Sequence, residues 1–301
     1  MELFSTAIGK NITIVHPPYF IISGFTGIPN IKYYYVFLFF VYIVSVLGNM
    51  TVMIIICLDH TLRTPKYIAV FNLAFADLLS SSAVVPKVLD IFLFDHPYIH
   101  FSDCLTFMFF CYACLSMQGL NLVALSYDRL IAIIFPLHYH VKVTHRFMFS
   151  LIAFFWLLVF IITLSAVGLL TRLSYCRSVV IENFVCDYYM VQNLACNDNT
   201  LNKVIGHFLP GIILWLPLIF ILSLAAVKER MKAFKTCTSH LSLVAIYFLP
   251  IMVAVTMSAS ASIHPNTQEI KESVKKLLKI SHVVLSFLCK HIWKWKSVKQ
   301  N

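Results

Sequence analysis

Phe147-Met-Phe-Ser-Leu-Ile-Ala-Phe-Phe-Trp-Leu-Leu-Val-Phe-Ile-Ile-Thr-Leu-Ser-Ala-Val-Gly-Leu-Leu-Thr171 runs for 25 residues without an Asp, Glu, Lys or Arg. A helix of about 20 apolar residues crosses the roughly 30 Å of hydrocarbon in a bilayer. Barrel strands would give alternating segments of about 10 residues. This run is continuous, so it reads as a membrane helix, whose backbone groups are satisfied within the segment. Outward from it, residues 33–57, 204–227 and 241–263 are equally free of charge. Residues 67–94 qualify while carrying Asp77, Lys87 and Asp90, and residues 104–127 are uncharged before they run into Asp128-Arg129. That makes six spans. Pro86, Pro210, Pro217 and Pro250 lie inside them and are tolerated in a bundle as kinks.

The composition agrees. Of 301 residues, 60% are apolar and 12% charged, and the mean hydropathy is +0.84. Soluble domains are about 45–50% apolar and about 25% charged. A water-soluble enzyme and a disordered chain are therefore both excluded. Residues 12–28 are interrupted by His16, Pro17 and Pro18, so the first span is expected to act as signal anchor.

A seventh segment lies within residues 272–292. Its apolar stretch, 277–289, has 13 residues, about 20 Å of helix and short of a full crossing. Lys275, Lys276, Lys279, His282, Ser286 and Lys290 fall on one side of the helical wheel, with Val274, Leu277, Leu278, Val284, Leu285 and Leu288 on the other. That pattern also suits a basic helix lying in the interface. Six spans would leave the tail outside, where anionic lipid is scarce, and the balance favours seven. The expected fold is all-α, a seven-helix membrane bundle forming one domain over 1–301. Residues 1–32 form its outer N-terminus, 172–203 a long outer loop, and 264–301 an atypical last helix with a basic tail.

Orientation follows from Lys and Arg in the short loops. One side collects 13 of the 23 basic residues, among them Arg63, Arg129, Lys142, Lys228 and Lys296. The other collects 6, and 4 lie within spans or in the last segment. The richer side is cytoplasmic, so the N-terminus is extracellular at the plasma membrane. The net charge of +10 is thus a topology and membrane-lipid signal rather than one for nucleic acid. Asn11-Ile12-Thr13 is a glycosylation sequon on the expected outside. Cys104, Cys176, Cys186 and Cys196 also fall outside, an even set with three possible pairings. Their spacing is not a zinc pattern.

Ionisable and amide groups at membrane depth are costly. Asn49, Asp77, Gln118 and Asn121 form a polar set that either holds water or a cation or makes interhelical hydrogen bonds, worth about 0.6 kcal/mol each. Asp128-Arg129 stands at the inner end of the third span. An acid beside a base there can pair and then release on a conformational change, or simply anchor the interface.

Leu125-Ser-Tyr-Asp-Arg-Leu130, with Ile133-Ile-Phe-Pro-Leu-His-Tyr139, resembles the MAYDRYxAIxxPLHY signature of olfactory (odorant) receptors, within the rhodopsin-like G-protein-coupled receptors. Gly48-Asn49, Leu62-Arg-Thr-Pro-Lys-Tyr67, Leu73-Ala-Phe-Ala-Asp-Leu78 and Pro86-Lys-Val-Leu89 match further landmarks in order. So do Lys232-Ala-Phe-Lys-Thr-Cys-Thr-Ser-His-Leu241 and the three-cysteine outer loop. The resemblance covers about residues 20–266, and His264-Pro-Asn-Thr267 is similar to wording in the fish-type branch.

The resemblance implies the pairs Cys104–Cys186 and Cys176–Cys196. It implies odorant binding by Cys111, Tyr112, Leu115 and Ser116 on helix three, Phe208 and Ile212 on helix five, and Phe248, Ile251 and Val255 on helix six. Tyr112 and Ser116 would be hydrogen-bond partners in an otherwise apolar site for a small neutral, weakly polar ligand; plain helix packing is the alternative at each position. Coupling to a stimulatory, olfactory-type heterotrimeric G protein would involve Asp128, Arg129, Pro136, His138, Tyr139, Lys235 and His240. No enzyme activity, cofactor or metal is implied. The chain departs from the family at Gln118, where Glu is usual, at Leu130, at Ser223-Leu224, and at Leu285-Ser-Phe-Leu-Cys289 in place of Asn-Pro-x-x-Tyr. The last departure leads us to expect weak or absent agonist-driven signalling. A transporter or channel is the rival reading, but the chain shows no internal repeat of the kind transporters carry.

Overall fold

The computed structural model describes residues 15–23, 31–94, 96–176, 178–181, 183 and 185–206. In chain order these contain β1 (Tyr19–Ile22), α1 (Ile31–Leu58), α2 (Pro65–Leu93), β2 (Tyr98–His100) and α3 (Phe101–Ile134). After these come α4 (Tyr139–Lys142), α5 (His145–Leu170), β3 (Val180–Ile181) and α6 (Tyr188–Asn193). Single 3-10 turns at His60–Leu62 and Pro136–His138 join the helices on one side.

Among the described residues, four helices are long and apolar enough to cross a membrane: α1, α2, α3 and α5. Two of them start at a clear sequence signal. Pro65 opens α2 at a position that needs no amide hydrogen. At α5 the Thr144 hydroxyl accepts from the Phe147 amide at 3.2 Å, an N-cap. α2 and α3 form the centre: α2 packs against α1 and α3, and α5 against α3. Phe37, Phe40 and Leu47 on α1, with Phe149, Leu157 and Leu164 on α5, stay exposed. On a soluble protein such faces would aggregate, whereas here they are the surface a bilayer wets.

The third helix is longer than its uncharged stretch, 104–127. It runs 34 residues, through Asp128 and Arg129 to Ile134. Asp128 does not end it, because that carboxylate is 1% exposed and accepts a hydrogen bond from Tyr139 at 2.6 Å.

The composition gave no sign of a sheet, yet three short strands cap one end of the bundle in the order β2-β1-β3. β1 pairs antiparallel with β2 (Phe20 opposite Ile99) and parallel with β3 (Ile21 opposite Val180). Inward-facing Phe20, Ile22, Ile99 and Ile181 are at most 3% exposed and join one core with Phe107, Met108 and Leu170. Tyr19 and Tyr98 meet edge to face on the exposed side, 5.3 Å apart. The His16 ring stacks on Phe101 at 4.5 Å, and its Nε2–H donates to the Thr171 carbonyl at 2.9 Å.

Disulfides join Cys104 to Cys186 and Cys176 to Cys196, with Cα separations of 5.6 and 5.9 Å. The first ties α3 to the loop preceding α6. The second closes a turn that also holds the Tyr175–Ala195 bridge. Asn11, most of the fifth span, the sixth span and the 272–292 segment lie outside the described residues.

Non-reducing peptide mapping should recover Cys104 linked to Cys186, and a Cys104–Cys176 peptide would contradict the fold. Cys186→Ala should abolish surface expression, as loss of a native disulfide costs about 2–5 kcal/mol. Phe20→Ala should cost about 3–5 kcal/mol through the cavity it leaves, read as a lower melting temperature of the detergent-purified chain. An unchanged melting temperature would mean that β1 is not part of the core.

Candidate functional site

The C-terminal end of α3 is built by a turn. Pro136 opens the 3-10 segment Pro136–His138, and α4 follows at once, bringing Tyr139 back against the helix. Its hydroxyl donates to Asp128 Oδ1 at 2.6 Å. Burial, then the hydrogen bond to Asp128, raise the Tyr139 phenol well above its usual range, so it remains a donor at neutral pH. The sequence left open whether Asp128 pairs with its neighbour Arg129 or the two simply anchor the interface. The hydrogen-bond partner of Asp128 is Tyr139, and among the described residues no carboxylate pairs with Arg129. On the turn and α4 that follow, Leu137 is 93% exposed and Val141 76%. Pro136 and His138 are exposed on the same turn. Lys142 sits over the Phe135 ring at 3.8 Å, and His145 Nε2–H donates to the Arg63 carbonyl at 2.8 Å, joining the turn to the first inner loop. Lys235 and His240 lie outside the described residues.

Mid-bundle, all four members of the polar set are buried: Asn49 and Asn121 at 0% exposure, Asp77 at 6% and Gln118 at 7%. Asn49 Nδ2 donates to the Ser45 carbonyl at 3.1 Å and its hydroxyl at 3.2 Å. Asn121 Oδ1 accepts from Asn72 Nδ2 at 2.9 Å, and Asn72 Oδ1 accepts from Trp156 Nε1 at 2.8 Å. This Asn72 node was not singled out from the sequence. Its signal was present, as an amide on α2 and a Trp on α5 within otherwise apolar runs.

Toward the N-terminal end of α3, Cys111, Tyr112, Leu115 and Ser116 are half-buried, while Ala113, Cys114, Met117 and Gln118 between them are buried. The four thus share the more open face of α3. The Tyr112 hydroxyl, expected to serve a ligand, is already engaged. It donates to Asp187 Oδ2 at 3.4 Å and accepts from the Tyr188 amide at 3.3 Å. Asp187 also caps α6, accepting from the Tyr189 amide at 3.1 Å. The site face therefore includes a buried carboxylate, 8% exposed, that no charge pattern along the spans foretold. Burial, then Asp187, push the Tyr189 phenol up to about 12. Phe208, Ile212, Phe248, Ile251 and Val255 lie outside the described residues. Among the described residues no cluster of His, Cys, Asp or Glu is placed to hold a metal.

Comparison with known proteins joins these parts. The family profile described as olfactory receptor matches residues 38–293, taking in the described spans and the apolar segments that follow. The chain is 34% identical to olfactory receptor 1E2 of Gorilla gorilla gorilla over 248 residues, 79% of this chain and 77% of the relative. It is 32% identical to olfactory receptor 1468 of Rattus norvegicus over 256 residues, 81% and 80% of the two chains. Against olfactory receptor 1E16 of Mus musculus the identity is 32% over 281 residues, 89% and 87%. With a likeness that runs through the helices, the inner turn and the disulfide-tied loop alike, the chain belongs to the olfactory receptor family, whose fold is the seven-helix membrane bundle.

Proposed function

We propose that this receptor binds a small odorant within its helix bundle and activates a heterotrimeric G protein of the stimulatory, olfactory type. The observation that carries this reading is the inner end of α3. The Tyr139 hydroxyl donates to Asp128 Oδ1, no carboxylate among the described residues lies within ion-pair distance of Arg129, and the turn that follows α3 exposes Leu137. A partner helix offering carbonyls or a carboxylate to Arg129 and an apolar side chain to Leu137 meets both needs. Pro136, His138 and Tyr139 shape that contact, and Lys235 and His240 complete it from the segment before helix six.

The ligand side is the half-buried face of Cys111, Tyr112, Leu115 and Ser116, opposed by Phe208, Ile212, Phe248, Ile251 and Val255. No chemical step is involved. A ligand that binds the open bundle better than the closed one shifts the population toward it, by no more than that difference in affinity. The N-terminus, with a glycan at Asn11, is placed outside the plasma membrane, 172–203 forms the outer loop, and 264–301 forms the last helix and a basic tail toward inner-leaflet lipid. The basic-residue asymmetry and the cysteine positions support that orientation. The expectation of weak signalling rests on residues 285–289, outside the described residues, and the comparisons lend it no support.

Transfected cells with matched surface expression, exposed to a broad odorant panel, provide the test, with cyclic AMP as readout. Arg129→Ala should remove the response while leaving surface expression largely intact; equal signalling by mutant and parent would refute its role. An epitope tag after Asn301 should stain only permeabilised cells. Staining of intact cells would mean six spans, with the last segment lying in the interface.

A further inference from the structure

The loop helix α6 touches two spans at once. On its α3 side it is held by the Cys104–Cys186 disulfide and by Tyr112, whose hydroxyl bridges Asp187 and the Tyr188 amide. On its other side it rests on the helical residues 200–206, where the fifth span begins. The Tyr188 hydroxyl donates to the Asn202 carbonyl and accepts from Asn202 Nδ2, both at 3.4 Å, and the Tyr189 hydroxyl donates to the Gly206 carbonyl. Asn199 Nδ2 donates to the Gln192 carbonyl at 2.8 Å, fixing the far end of α6. Contact is close: a Cβ on Gly206 would stand 2.9 Å from Tyr188 Cε1. Tyr188 is 5% exposed and Asn202 4%, so neither has room to give way.

We propose that α6 is a strut setting the separation of the third and fifth spans at their outer ends, with Tyr112, Asp187 and Gly206 as its positioning residues. Tyr112 then acts through the loop: its hydroxyl orients α6, and a ligand pressing on its ring moves the fifth span through Asp187 and Tyr188. The helices that bind ligand under the proposed function are the ones the strut spans, so the inference rests on that reading for its meaning but not for its test.

The full chain in lipid nanodiscs, without ligand, is followed by hydrogen–deuterium exchange. Tyr112→Phe removes the hydroxyl and little volume. It should speed exchange about fivefold both at the start of α6 and across residues 200–206, the size set by one net hydrogen bond. Asp187→Asn, which keeps one of the two acceptor oxygens, should fall between the parent and Tyr112→Phe, while Asp187→Leu, which removes both, should speed exchange in both segments at least as much as Tyr112→Phe. Gly206→Val should loosen α6 from the opposite side. Acceleration confined to α6 in Tyr112→Phe, with 200–206 unchanged, would overturn the strut even if Gly206→Val fails to fold. Because no odorant or G protein enters this measurement, a failed odorant response leaves its outcome intact.

Discussion

Inside a bilayer a polar side chain has no water to turn to, so amides placed there must find one another. In this receptor Asn72 carries that constraint. Its donor goes to Asn121 on α3 and its acceptor takes the Trp156 indole from α5. Rotating any of the three helices by one residue strands at least one polar group in hydrocarbon, so the node fixes their register as apolar packing alone does not. The buried Val70, Leu73, Ala124 and Leu125 pack around it.

Away from the node, the two ends of α3 are finished by different means. The inner end uses one proline turn and one short hydrogen bond, with much apolar surface left bare. The other end is tied to the loop by the Cys104–Cys186 disulfide and covered by a three-stranded sheet and the aromatic stack of His16 on Phe101. The outer end must hold a loop in place over water, where hydrogen bonds alone are worth little because water competes for them.

Much of this was legible in the sequence, for identifiable reasons. Apolar runs of membrane length with few or no charges have few other readings, so α1, α2, α3 and α5 were located to within a few residues, except at the charged end of α3. The Asp128-Arg129 pair marked the end of α3 but left open whether the two pair with each other or anchor the interface. The true partner, Tyr139, lies 11 residues on and is brought back only by the turn at Pro136. The strands were invisible because four, three and two residues are too few to show alternation, and their partners lie far along the chain. Asp187 was passed over for a similar reason. Its neighbour in space, Tyr112, is 75 residues away, and nothing in a linear reading sets a loop acid against a span tyrosine.

The order of the sheet also imposes a schedule on the ribosome. β1 is its middle strand, yet it is made first, and its two neighbours emerge from positions 98–100 and 180–181. At about 5–20 residues per second, β3 follows β2 by roughly 4–16 s. Throughout that interval β1 has one bare edge, and Phe20 and Ile22 lack the covering that β3 and its loop later supply. Unpaired edges of this kind invite association with other chains. The nascent chain therefore passes through a stage in which its first strand has one unpaired edge, and that stage ends only when the residues of β3 have been made.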